Sequence, residues 1–416
     1  MTAPPPGRRS LTHVGGDVTL GGEPDTARAL GEALDVRPAG DDVDEPERAD
    51  VHGFHVYPAR MHPTTAARLV ALAADEGARV LDPFCGSGTV LVEALASRRH
   101  SVGTDLNPLA ARLSRLKVRA LSAEGRALLV AEANRARAVA DQRRKLRVGS
   151  STRYPEEDVE LFDPHVLLEL DSLRVGIDAA EKSTREALML VLSSLLTKVS
   201  RQKGDTSAAH APRRLAAGYT AKLFARKTEE LAERLATLDA RVPRPRAEVK
   251  VTVDDATALD TVATASVDAV VTSPPYVATY DYASHHVARL RWLGLPQREA
   301  RRFVERELGS RRAYASRTPR EAREAWLGEL RALFGALVRV TRPGGRVVLL
   351  MADSAVRGEA LRADDLVAEA TIDVPELEPW ARASQSRPHF HGPTAAAFQR
   401  APRREHALLL RRALPR

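Results

Sequence analysis

The stretch that most constrains this chain is Val80-Leu81-Asp82-Pro83-Phe84-Cys85-Gly86-Ser87-Gly88-Thr89, an apolar run that ends in a glycine turn and opens a helix. Two glycines two residues apart let the backbone turn tightly and approach a ligand closely. Beyond them Thr89 to Ser97 carries apolar residues at helical spacing. A strand, a glycine turn and a helix N-terminus make a cleft for a small polar ligand. The turn lacks the Gly-Lys-Ser/Thr ending of a phosphate-binding loop and the six-residue glycine spacing of a dinucleotide site, so it fits neither nucleotide class.

A second landmark lies far downstream. Val267-Asp268-Ala269-Val270-Val271 has the pattern of a buried strand and runs into Thr272-Ser273-Pro274-Pro275-Tyr276. Two consecutive prolines cannot continue a central strand. They fix a stiff turn at its carboxyl end, where α/β sheets bind ligands, and leave carbonyl oxygens aimed without amide partners of their own.

Together the two segments resemble motif I and motif IV of the amino-methyltransferases, Asp-Pro-Phe-x-Gly-Ser-Gly-Thr and Ser-Pro-Pro-Tyr. Phe54 to Pro63, a proline-bracketed aromatic loop ahead of the glycine turn, is similar to motif X of the same enzymes at Tyr57, Pro58, Arg60 and Pro63. The order X, I, insert, IV resembles their α arrangement over residues 54 to 120 and 247 to 350. The resemblance implies S-adenosylmethionine as cofactor, held by Tyr57, Asp82, Phe84, Gly86, Ser87, Gly88, Thr89, Asp105, Asn107 and Asp255. Asp105 ends a second strand, His100 to Asp105, about twenty residues past the turn, and an acid there can accept from both ribose hydroxyls. It can equally cap the helix opened by Pro108. Asp255 aligns with the acid that meets the adenine amine in relatives.

Alternating strands and helices predict an α/β fold with a doubly wound, mostly parallel sheet. The resemblance makes it the seven-stranded class I methyltransferase sheet with a helical insertion. Strands are expected at Ala247 to Val253, Val267 to Val271, Gly345 to Met351 and Glu405 to Leu410. Residues 1–50 carry the acidic run Asp41 to Glu47 and little apolar periodicity, predicting a disordered leader. Residues 51–120 would form the first catalytic part, 121–245 a helical insert for target recognition, and 246–416 the second catalytic part.

A net charge of +8 favours a polyanion partner, although an arginine-rich composition can have other origins. In the insert Arg143, Arg144, Lys145, Arg147, Lys198, Arg201, Lys203, Arg213 and Arg214 either bind phosphates or form a solvated face. The single cysteine excludes a disulfide framework, no ligand cluster suggests a metal site, and no long apolar span is visible, so a cytoplasmic protein without membrane contact is expected. Carbon-5 methylation of cytosine needs a thiolate, and Cys85 lies in the glycine turn, so that class is set aside.

The resemblance implies methyl transfer to an exocyclic amine of a base flipped from double-stranded DNA, with Ser273, Pro274, Pro275 and Tyr276 as the catalytic turn. Ser273 and the Pro274 carbonyl would accept from the amine, and Tyr276 would stack on the base. Serine at the head of the turn favours cytosine N4 over adenine N6. Thr279 to His286 is a further substrate loop, in which His285 and His286 are as easily structural as catalytic. The rival readings are an RNA methyltransferase acting on a guanine N2 amine and an inactive nucleic-acid-binding relative.

Overall fold

The computed structural model describes residues 15–36, 49–201, 214–295, 297–388 and 395–415. Its strands are β1 (Val18–Gly22), β2 (Arg79–Asp82), β3 (His100–Asp105), β4 (Val249–Val253), β5 (Val267–Thr272), β6 (Thr341–Ala352), β7 (Ser354–Val356), β8 (Glu359–Leu361), β9 (Leu377–Ser386) and β10 (Arg404–Arg412). Helices α1 (Pro24–Leu34), α2 (Pro63–Ala73), α3 (Thr89–Ala96) and α4 (Pro108–Val118) belong to the first half of the chain. Then come α5 (Ala123–Lys145), α6 (Glu156–Leu161), α7 (Pro164–Asp178), α8 (Lys182–Val199) and α9 (Tyr219–Arg241). The remainder are α10 (Tyr282–Trp292), α11 (Gln297–Arg306), α12 (Arg311–Tyr314), α13 (Pro319–Val340) and α14 (Ala363–Ile372).

One sheet of eight strands runs in the order β1-β9-β10-β6-β5-β2-β3-β4, and β7 with β8 makes a separate hairpin. The pairs from β4 through β6 are parallel, whereas β10 enters antiparallel between β6 and β9. The order reverses beside β2, whose carboxyl end faces the space between β3 and β5, the switch point where such sheets bind ligands.

Period-2 alternation sorts the strands' side chains onto two faces. Val270, Val347, Leu349, Met351, Leu408 and Leu410 pack in one cluster with α13 and α14. Their neighbours Ala269, Val271, Val348, Leu350, Ala407 and Leu409 pack in another with α1 and α2.

Two expectations are corrected. The sheet has eight strands rather than seven, and the eighth comes from the segment expected to be a disordered leader. Val18 to Gly22 pairs antiparallel with Gln385 to Ala381, and α1 buries Ala27, Leu30, Ala33 and Leu34 beneath it. The glycines that dilute the local pattern serve close approach. At Gly22, φ is +85° and a Cβ would fall 2.3 Å from the Trp380 carbonyl oxygen. Glu23 then caps α1, accepting from the Thr26 amide at 2.8 Å, with Pro24 at the first turn. The acidic run Asp41 to Glu47 lies outside the described residues.

Helices α5 to α9 share one cluster with α3 and α4: Leu91, Leu95, Leu113 and Leu116 pack together with Leu129, Leu170, Leu195 and Phe224. No described helix is long and apolar enough to cross a membrane.

Candidate active site

The site begins with the glycine turn. Gly86 takes φ +50° and Gly88 φ +84°, conformations that side chains with a Cβ rarely adopt. The turn lets the Gly86 amide donate to Asp105 Oδ2 at 2.9 Å, while Asp105 Oδ1 accepts from the Asn107 amide at 2.8 Å. Asp105 at the end of β3 is thus welded to the turn after β2. Its burial pushes its pKa up to about 6, with the two amides pulling the other way.

Asp82 ties the two landmarks together. Its Oδ1 accepts from Thr272 Oγ1 at 2.7 Å and from the Phe84 amide at 3.2 Å, bracing the end of β2 against the end of β5. Burial raises its pKa to about 7. Asn107 caps α4 through the Leu109 amide and donates from Nδ2 to Tyr57 Oη at 3.3 Å and to His286 Nδ1 at 2.9 Å.

Around these groups lies a cleft of about 880 Å³, counting its space open to solvent, walled by Tyr57, Asp82, Phe84, Gly86, Ser87, Thr89, Asp105, Asn107, Asp255, Ser273 and Pro275. Residues predicted from segments as distant as 57 and 273 therefore meet on one surface. The Ser87 hydroxyl is buried and has no hydrogen-bond partner among the described residues, an arrangement that leaves it to be satisfied by a ligand. A Cβ on Gly86 would stand 3.3 Å from the Tyr57 ring, so the turn and the aromatic loop already touch.

A second cleft of about 1060 Å³, again counting space open to solvent, adjoins the first and is bounded by Ser273, Tyr276, Tyr280, Leu350, Arg387, Arg403 and Glu405. Tyr57, Ala59, Arg60, Met61 and Ser273 line both, so the aromatic loop and the serine form the partition. Ser273 Oγ donates to the Leu350 carbonyl at 2.9 Å. With its proton committed there, what the hydroxyl offers an incoming group is acceptance. Tyr276 Oη donates to Glu405 Oε1 at 3.2 Å, and Arg387 pairs with the other oxygen at 2.8 Å. Burial and then the Glu405 charge raise the phenol's pKa.

Not every predicted residue stands where expected. Gly88 stays behind the wall, capping α3 against Ser114, where a Cβ would fall 2.9 Å from the hydroxyl. Pro274 is buried under the turn and lines neither cleft. Asp255 faces the first cleft, with Oδ1 accepting from the Thr257 amide and hydroxyl and Oδ2 3.3 Å from Arg306 Nη1. His286 is buried as the acceptor for Asn107, a structural post, while the His285 side chain lies outside the described residues. Buried among carboxylates, the Cys85 thiol is pushed well up, which holds it in the unreactive protonated form.

Most of the far wall of the first cleft escaped sequence reasoning: Phe303, Arg306, Glu307 and Leu308 come from α11 and the turn after it, joined by Tyr282 of the expected substrate loop. The only local signal was the spacing of Ala300, Phe303 and Val304 within an arginine-rich stretch, which marks an amphipathic helix and not its place. Among the described residues one group of metal-ligand type does assemble, Asp353, Asp364 and His406. Its members are engaged with one another and with arginines: His406 to Asp353 at 3.0 Å, Arg362 to Asp353 at 2.7 Å and Arg382 to Asp364 at 3.0 Å.

The insert's basic residues divide into paired and unpaired: Lys145, Arg147 and Arg214 are exposed with no side-chain partner among the described residues, whereas three others are engaged. Arg143 reaches the buried Asp171, Arg144 meets Asp141 and Arg201 meets Asp163. Lys203 and Arg213 lie outside the described residues.

Comparison with known proteins bears on the first cleft's half of the chain. Residues 38–115 match the N6/N4 family model described as DNA methylase. A 69-residue stretch is 44% identical to the type II methyltransferase M.MvaI of Kocuria varians, covering 16% of this chain and 15% of that protein. A 90-residue stretch is 33% identical to M.MjaII of Methanocaldococcus jannaschii, covering 21% of this chain and 17% of that one. The alignments thus span under a fifth of either relative. TrmN from Thermus thermophilus superposes on 84% of this chain and 48% of its own at 13% identity, with a TM-score of 0.32, too loosely to argue from. Over the residues that carry the glycine turn, its aspartate and the aromatic loop, this chain is similar to the N6/N4 DNA methylase family.

Proposed function

We propose that the protein methylates an exocyclic amine of a base flipped out of double-stranded DNA in a sequence-specific manner, cytosine N4 in preference to adenine N6. The observation that carries this reading is the pair of clefts sharing Ser273 and the Tyr57–Met61 loop as their partition. A donor in one and an acceptor in the other would meet at the serine.

The first cleft suits S-adenosylmethionine. Asp105 would take the ribose hydroxyls, Gly86 would let the backbone close on the ligand, the orphaned Ser87 hydroxyl would gain a partner, and Asp255 with Arg306 would face the adenine. When bound, the cofactor supplies an electrophilic methyl group. The chain's task is the nucleophile. An exocyclic amine is conjugated into its ring, and acceptors that draw on its hydrogens turn the nitrogen lone pair outward. Ser273 Oγ, its own proton fixed on Leu350, is such an acceptor. The buried Pro274 is read as shaping the turn, and Tyr276, anchored through Glu405, offers a fixed ring edge or face to the base.

The test is single-turnover methyl transfer from labelled cofactor to duplex DNA, with the modified base identified by mass spectrometry of the digested product. Ser273→Ala should slow transfer by roughly tenfold to a thousandfold with cofactor affinity nearly unchanged. Transfer at the wild-type rate would remove the serine from the mechanism, and N6-methyladenine in the digest would reverse the base preference.

A further inference from the structure

We infer that α11 is a surface that grips the DNA phosphates and that it couples this grip to both clefts; the inference rests on the reading above. α11 has two faces. Inward, Phe303 is 5% exposed and Arg306 meets Asp255 at the first cleft. Outward, Arg298, Arg301 and Arg302 are exposed at helical spacing, with no hydrogen bond or ion pair to any described residue. An arginine already paired to a carboxylate has little to gain from a phosphate, which is the condition of Arg143, Arg144 and Arg201 in the insert. Unpaired, solvated arginines are the ones that can displace counterions from a nucleic acid backbone.

The position of the helix supplies the second half of the argument. The segment that follows α11 is bonded to the loop that follows Tyr276: the Ala278 amide donates to the Gly309 carbonyl at 2.8 Å and the Arg311 amide to the Tyr280 carbonyl at 2.9 Å. Arg312 pairs with Asp281 at 2.9 Å, and Glu307 accepts from the Tyr282 amide at 2.6 Å. Tyr280 lines the second cleft and Tyr282 the first. A backbone held on the outer arginines is therefore fixed relative to the turn that would receive the extruded base. The same helix walls the cofactor cleft, so DNA held there should slow the escape of whatever the cleft contains.

The experiment measures affinity for a short duplex against salt concentration, using wild-type protein, Arg301→Gln/Arg302→Gln, and Arg144→Gln as the insert control. Each lost phosphate contact reduces the slope of log affinity on log salt by about 0.9, so the α11 pair should flatten it by about 1.8 and the control should leave it unchanged. Calorimetric titration of S-adenosylhomocysteine without DNA should give the same affinity in all three, which shows that the cleft is intact. Arg298→Gln/Arg301→Gln repeats the test with a different pair. A wild-type slope in both pairs, with the Arg144→Gln slope reduced, would overturn the inference while leaving methyl transfer to DNA standing. Wild-type protein that transfers no methyl group to DNA and binds the duplex without salt dependence would overturn the functional reading along with it.

Discussion

Asp105 is held by two amides inside a wall that would otherwise strip its charge, and that balance has consequences that run in opposite directions. Its folded pKa of about 6 lies above the ordinary carboxylate value of about 4, so the folded state retains a proton that the unfolded chain has released. That contribution to stability is complete below about pH 4 and is lost as pH rises through about 6; Asp82, at about 7, acts in the same sense. The proposed acceptance from ribose needs the ionised form. Affinity for S-adenosylhomocysteine should therefore rise as pH rises through about 6 and level off above it, and Asp105→Asn should bind weakly with little pH dependence. Calorimetric titrations across that range check this, and an unchanged profile in the asparagine variant would detach Asp105 from the ligand. The acid was legible in the sequence because it ends a strand at the right distance from the glycines. That Ser273 gives its proton to Leu350 was not, since the partner is 77 residues away on another strand.

Among the elements, β1 and α1 show how tertiary context overrides local pattern. Val18 to Gly22 is too short and too rich in glycine to announce a strand, yet β9 presents an open edge and the glycines fit against Trp380 and Ala381. α1 then completes the apolar layer over β9 and β10 with Leu30, which is fully buried. Leu30→Ala should cost about 2–5 kcal/mol in urea unfolding, the range for truncating a packed leucine. A cost near zero would mean that the segment is only loosely laid on the sheet. By contrast, β2, β3 and β5 were legible because each is a short apolar run closed by a turn residue that the ligand site itself requires. α11 carries helical spacing at Ala300, Phe303 and Val304, but its place over the cleft depends on bonds to the Tyr276 loop that no spacing encodes.

In the whole molecule, sheet and helical array share one apolar cluster, and at their seam sits Lys117, fully buried, its ammonium without a hydrogen-bond partner among the described residues. Burial, reinforced by Arg60 and Arg234, pushes its pKa well below the ordinary lysine value. Folding must therefore release a proton that the unfolded chain keeps up to about pH 10.4, so this group's contribution rises with pH and falls as the solution is acidified. Lys117→Met should raise stability at neutral pH by about 1–3 kcal/mol, the penalty for an unsatisfied buried polar group, and should flatten the slope of stability on pH. Unfolding titrations at two pH values decide it; a destabilised variant would show that the amine has a partner on which the seam depends. The sequence by itself determined the α/β alternation, the glycine turn, the proline turn and their order, because these depend on the chemistry of adjacent residues. Only the tertiary structure decided that the proline turn's serine and the aromatic loop share a partition, that the first fifty residues supply a strand, and that Arg143, Arg144 and Arg201 of the insert are spent while Arg298, Arg301 and Arg302 of α11 are not. The reason is physical: conformation is largely local, but burial, pairing and the unoccupied valence of a side chain depend on neighbours that the fold brings from elsewhere in the chain.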